Sequence, residues 1–173
     1  YGSRNTKRAQ GGISGTLGEQ GDTSFALSVS EFKTTGFSSI NPQQAPNANP
    51  NDNAYTNKSV SAQLSHRFSA DWQAGLTYFQ TWGTVSYDNA FGLPTDDNVA
   101  HNQVRAMSAF VDGKVTQDWK TRLTVSQGDD KSLNFTNGQV QVPGRFNTQS
   151  RQVSWQNDWA FMPGQLLKVG YEH

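Results

Sequence analysis

The chain has 173 residues, only 34% of them hydrophobic, no cysteine, and 14 basic against 14 acidic residues. That is enough for one domain, while the missing cysteine removes disulfides and thiolate chemistry and the evenly mixed charge offers no basic patch for nucleic acid. No apolar run approaches the ~20 residues of a membrane helix, but a polar average does not exclude a membrane β-barrel, whose lumen face and loops are polar.

Residues 1–5 carry no pattern. From Thr6 to Leu17, Ala9, Gly11, Ile13, Gly15 and Leu17 alternate with Arg8, Gln10, Gly12, Ser14 and Thr16, a weak strand signal. Gly18 to Asp22 reads as a turn. Phe25, Leu27 and Val29 then alternate with small polar residues, which predicts a second strand to about Thr35. Gly36 to Asn57 is rich in Pro, Asn and Gln, and Pro42, Pro46 and Pro50 exclude a ladder-forming interior strand there.

The strongest signal is Lys58–Gly83. Val60, Ala62, Leu64 and Phe68 share one face, Ser-Ala-Asp at 69–71 turns the chain, and Trp72, Ala74, Leu76, Tyr78 and Trp82 share one face on the return. A second polar segment runs from Asp88 to Asn102. The strand expected over Gln103–Lys114 is ambiguous in phase: either Val104, Ala106 and Phe110 or Met107, Ala109 and Val111 make its apolar face. After the turn at Thr116–Asp118, Trp119, Thr121, Leu123 and Val125 alternate with Lys120, Arg122, Thr124 and Ser126.

A third long polar segment is expected over Gly128–Asn147, with Asn137-Gly138 as its tip turn. Val153, Trp155, Trp159 and Phe161 follow on one face, Met162–Gln165 turns, and Leu167, Val169 and Tyr171 begin a last strand ending at His173.

Alternation alone suits a soluble antiparallel sheet equally well. Three features favour a membrane barrel. Short turns alternate strictly with long connections, as in outer-membrane barrels. Phe68, Trp72, Trp119, Trp159 and Phe161 cluster at the short-turn ends like an interfacial girdle. The expected strands exceed the usual five or six residues. The fold class is therefore all-β: an antiparallel up-and-down transmembrane β-barrel, of which about eight meander strands lie here. Three long loops against four short turns put both termini on the long-loop side, so the expectation is a piece of a larger barrel. The alternatives are a passive porin or small structural outer-membrane barrel, and a soluble β-sandwich binding module.

The runs YGSRNTKRAQGGISG (1–15), FALSVSEFKTTGFSS (25–39) and NPNDNAYTNKSVSAQLSHRF (49–68) resemble the first barrel strands of TonB-dependent outer-membrane receptors, and within them the cobalamin-transporter branch. The resemblance implies a barrel of about 22 strands, with a plug domain that engages the TonB energy transducer; residues 1–173 are then a barrel segment alone, the plug and the remaining strands being absent from it. It also implies a bacterial outer-membrane location, the lipid bilayer as surroundings, and uptake of a small-molecule chelate, cobalamin or a siderophore. Calcium-binding loop carboxylates are a further implication. The matching positions are Asp52, flanked by Asn51 and Asn53 where the family favours Asp, with Asp88 and Asp96 or Asp97 in the next loop. Tyr55, Tyr87 and Phe91 are the candidate aromatic ligand contacts. His66, His101 and His173 are scattered with no serine or carboxylate at a recognised spacing, so no enzyme is expected.

Overall fold

The computed structural model describes residues 2–38, 40–41 and 43–173; Tyr1, Ser39 and Pro42 lie outside the described residues. Eight strands follow one another: β1 (Lys7–Leu17), β2 (Thr23–Thr34), β3 (Tyr55–Arg67), β4 (Trp72–Ser86), β5 (Asn98–Thr116), β6 (Trp119–Thr136), β7 (Gln139–Met162) and β8 (Gln165–Glu172). They form one antiparallel sheet in the order β1 to β8, each strand beside its neighbours in sequence. The sheet is unclosed: among the described residues, β1 and β8 have no second partner.

Two expected loops are present, and the third is not. Gly128–Asn147 is paired strand, because β6 and β7 continue in register from Gly128↔Ser150 to Thr136↔Gln139, with one irregularity near Leu133. The hairpin closes at Asn137-Gly138, where both residues have positive φ (52° and 76°), as a two-residue I′ turn requires. In the same way β5 starts at Asn98 rather than Gln103, and β3 at Tyr55 rather than Lys58. The reason is common to all three. Apolar residues are sparse in these strand ends, with period-two runs no longer than a pair such as Leu133 and Phe135, and the ladder of backbone bonds holds them.

Directly paired residues point to the same side of a sheet, so the register assigns every side chain to a face. One face carries Val60, Leu64, Leu76, Leu123, Val125, Val153 and Trp155, the other Gln63, Gln73, Arg122 and Gln156, as the alternation predicts. Met107, Ala109 and Val111 pair with Tyr78, Leu76 and Ala74, which places them on the apolar face and Phe110 on the polar one. On the polar face, hydroxyl ladders run between strands: Ser24–Ser65 at 2.7 Å, Ser28–Ser61 and Ser30–Ser59 at 2.8 Å, and Thr77–Ser108 at 2.7 Å.

The sheet is a single layer. The buried hydrophobic residues are Ala48 and Ala100, and no large side chain among those described is fully buried. A soluble sandwich buries one face of each sheet against the other; here neither face has such a cover among the described residues.

The apolar face has a sloping edge. Its last apolar residue before polar or charged positions is Val29 on β2 (then Glu31), Val60 on β3 (then Lys58), Tyr78 on β4 (then Gln80), Met107 on β5 (then Arg105), Val125 on β6 (then Gln127) and Val153 on β7 (then Arg151). Val153 lies in line with Val125, Ala109, Leu76, Leu64 and Phe25. Between β2 and β7 the edge has thus moved four residues, from Val29 to Phe25, over five strand spacings. At ~3.3 Å per residue and ~4.8 Å per strand, the slope is about 30°.

Candidate functional site

The long-loop end of the sheet brings together residues 35–54, residues 87–97 and the β6–β7 tip. Asp88 is the hinge between the first two. Its Oδ2 accepts hydrogen bonds from Ser38 Oγ (2.9 Å) and Asn53 Nδ2 (2.8 Å), both from the first loop. Asn49 Nδ2 reaches across to the Asp96 carbonyl at 2.9 Å. Two loops that leave neighbouring hairpins are therefore stitched by amide and hydroxyl donors onto a carboxylate and a carbonyl.

The tip of β6–β7 makes the third attachment. Asn137 and Asp97 exchange bonds, Asp97 N donating to Asn137 Oδ1 and Asn137 N to the Asp97 carbonyl, each at 2.8 Å. Asn137 Nδ2 also donates to Asp96 Oδ1 at 2.9 Å, while Asp96 Oδ2 accepts from Leu93 N at 2.8 Å. Beneath them Gln141 Nε2 donates to Tyr87 OH and Thr136 Oγ1, both at 2.8 Å, and Thr136 Oγ1 donates to the buried Asn98 Oδ1 at 2.8 Å.

Both Asp96 oxygens and one Asp88 oxygen are therefore already occupied. Calcium takes six to eight oxygen ligands, several of them carboxylates. Among the described residues no three His, Asp or Glu side chains converge to hold a metal ion. Asp52, Asp88, Asp96 and Asp97 as placed do not fit a calcium site; Asp88 and Asp96 serve instead as acceptors that close the loops.

The three candidate aromatic contacts separate. Tyr55 starts β3 and packs on Phe32, ring centroids 6.0 Å apart. Tyr87 is half-buried and held by Gln141. Phe91 stands 97% exposed on its loop, and Val142 on β7 is equally exposed. Of the aromatic trio, Phe91 is the most open to solvent. Sequence reading missed Gln141 and Asn137 as organisers, since both sit in a segment whose polarity suggested an unpaired loop. The Asn-Gly pair was the available signal.

At the opposite, short-turn end the polar face carries a charged row, Arg67, Gln73, Asp112, Arg122 and Gln156. Gln73 Nε2 and Arg122 Nη1 both donate to Asp112 Oδ1, at 3.2 and 3.4 Å, within a hollow of about 340 Å³. Trp119 and Trp155 close the apolar face at that end, their indole N–H groups donating to Asn157 Oδ1 (3.0 Å) and Thr121 Oγ1 (2.8 Å). Such Trp residues, apolar in body and satisfied at the N–H, suit a boundary between hydrocarbon and water.

No family model matches the chain. Over 162 residues it is 24% identical to the vitamin B12 transporter BtuB of Vibrio vulnificus (strain YJ016). That alignment takes in 92% of this chain and 25% of the relative, so the chain spans about a quarter of that transporter's length. The similarity is in line with the resemblance of residues 1–68.

Proposed function

We propose that this chain is a wall segment of a TonB-dependent outer-membrane receptor, with its apolar face in lipid and its polar face toward a lumen. The sloping edge of the apolar face carries the reading. Strands of a barrel tilt by roughly 35–45° to its axis. A flat hydrocarbon slab crossed by tilted strands marks the same apolar band at a different residue on each strand, and the observed slope of about 30° is close to that tilt. A face packed on a second protein layer has no reason to show a straight oblique edge with tryptophans along the other side.

The cargo on this reading is a scarce metal chelate of the cobalamin class, supported by the likeness to a vitamin B12 transporter. Uptake is driven through the TonB transducer acting on a plug domain. The loop cluster forms part of the outer mouth, with Phe91 among its ligand contacts.

The test uses spin labels on the full-length protein in bilayers. Labels at Leu76 and Leu123 should relax with oxygen, which concentrates in hydrocarbon. Labels at Thr77 and Thr124, one residue along, should relax with a water-soluble paramagnet. The reverse pattern at either pair overturns the membrane reading.

A further inference from the structure

The hairpin tip that fastens the second loop is also a reactive piece of backbone. Asn137 is the asparagine that Gly follows; each of the others precedes a residue with a side chain. An asparagine amide is lost when the next backbone nitrogen attacks its Cγ, and a side chain on that next residue obstructs the attack. Gly138 has none, and a Cβ built on it meets nothing within 4 Å. Its N–H donates to no backbone carbonyl among the described residues, and both Asn137 and Gly138 are exposed to water. The nucleophile is bare and unengaged.

What restrains the reaction is the attachment to the second loop. Cyclisation requires the side-chain amide to rotate as Cγ becomes tetrahedral, and this amide is clamped at both ends. Its Oδ1 accepts from Asp97 N at 2.8 Å, and its Nδ2 donates to Asp96 Oδ1 at 2.9 Å. Both bonds must break before the ring closes, so the reaction draws on the open tip alone. The product cannot remake them both. The Nδ2 that donated to Asp96 becomes a carboxylate oxygen, and two carboxylates at that spacing repel. An isoaspartate also lengthens the backbone by a carbon inside the tight I′ turn.

We propose that Asn137-Gly138 is a self-modification site guarded by its own loop contact: it converts to aspartate or isoaspartate only while the tip is open, and conversion keeps the tip open. Gly138 N bonds to Asn137 Cγ, the Cγ–Nδ2 bond breaks, and Nδ2 leaves as ammonia with the proton of the Gly138 N–H. Water then opens the cyclic imide at either carbonyl. Breaking the new bond gives aspartate, and breaking the old main-chain bond gives isoaspartate. Nothing is oxidised or reduced, and water is the co-reactant. The loop held through Asp96 and Asp97 therefore loosens in one direction with age, whatever the two faces of the sheet meet.

The test is peptide mapping by mass spectrometry of the full-length protein aged at neutral pH, folded and in urea, with amide exchange over residues 87–97 measured on the folded samples. Conversion at Asn137 should run roughly ten- to a hundredfold slower in the folded protein, the protection that its two side-chain bonds give. Asp96→Ala removes one of those bonds and should speed the folded reaction about fivefold. Ageing should quicken exchange over residues 87–97 in the protein without substitution. It should leave exchange unchanged in Asn137→Gln, whose longer side chain closes a ring far more slowly. Each protein is compared with itself before ageing, so a weakened fold in the variant does not decide the result. Equal conversion rates folded and in urea overturn the proposal without any variant needing to fold. Asp96→Ala converting no faster, or conversion at Asn137 that leaves exchange over residues 87–97 as it was, overturns it too.

Discussion

The ring of Phe110 occupies the space where a side chain at position 75 would stand. A Cβ built on Gly75 falls 2.6 Å from Phe110 Cε1 and 2.9 Å from the Leu64 carbonyl oxygen, while the Arg122 guanidinium lies 4.1 Å from the centre of the same ring. The aromatic covers the bare glycine backbone on the polar face and carries a cation on its ring. Gly75→Ala should therefore lower stability by about 1–3 kcal/mol, the usual cost of overpacking. Urea unfolding of the full-length protein measures it. In a Phe110→Ala background most of that cost should vanish, and an unchanged cost would assign the strain to Leu64 alone.

Leu123 and Thr124 are neighbours in sequence on opposite faces of β6. With the apolar face in a bilayer, Leu123→Arg should cost about 2–4 kcal/mol, since Leu123 lies inside the apolar band, and Thr124→Arg close to nothing. Folding equilibria in lipid vesicles separate the two. Equal costs would argue against a lipid-facing surface.

Asn137 ties the hairpin tip to the second loop by two side-chain bonds and occupies a left-handed backbone conformation. Asn137→Ala loses both bonds and strains the turn. Amide hydrogen exchange over residues 87–97 should quicken by roughly ten- to a hundredfold, as expected for about 1–3 kcal/mol of local stability. Asn137→Gly keeps the backbone and loses the bonds, so it should show the loop effect with a smaller change at the tip itself.

The loops are closed by Asn and Ser donors on Asp88 and Asp96. Calcium at up to about ten micromolar, the sensor range of dissociation constants, should therefore give no binding heat in calorimetry, and chelation should leave loop exchange rates unchanged. Asp88→Ala should loosen residues 35–54 with or without calcium. A calcium heat that disappears in Asp88→Ala would mean that the loops rearrange to create a metal site.

Local alternation determined which strands have an apolar side and which residues share it. Leu64, Leu76, Val125 and Val153 were assignable from period two alone, because a slip of one residue would turn every one of them to the other face. The short turns and the Asn137-Gly138 tip were legible for a similar reason: turn residues act locally through their own backbone. What lay beyond sequence was anything set by a neighbouring strand. The paired stretch from Gly128 to Asn147 has only short apolar pairs such as Leu133 and Phe135, and it is held by ladder bonds that leave no long periodic trace. The phase of β5 was undecidable until Met107 and Ala109 were seen opposite Tyr78 and Leu76. The slope of the apolar edge belongs to the register of six strands together, and the pairing of Asp129 with Arg105 is visible only once β5 and β6 are in register. Sequence carries the pattern along each strand; only the tertiary structure sets the offset between strands, and that offset is what places charge against hydrocarbon.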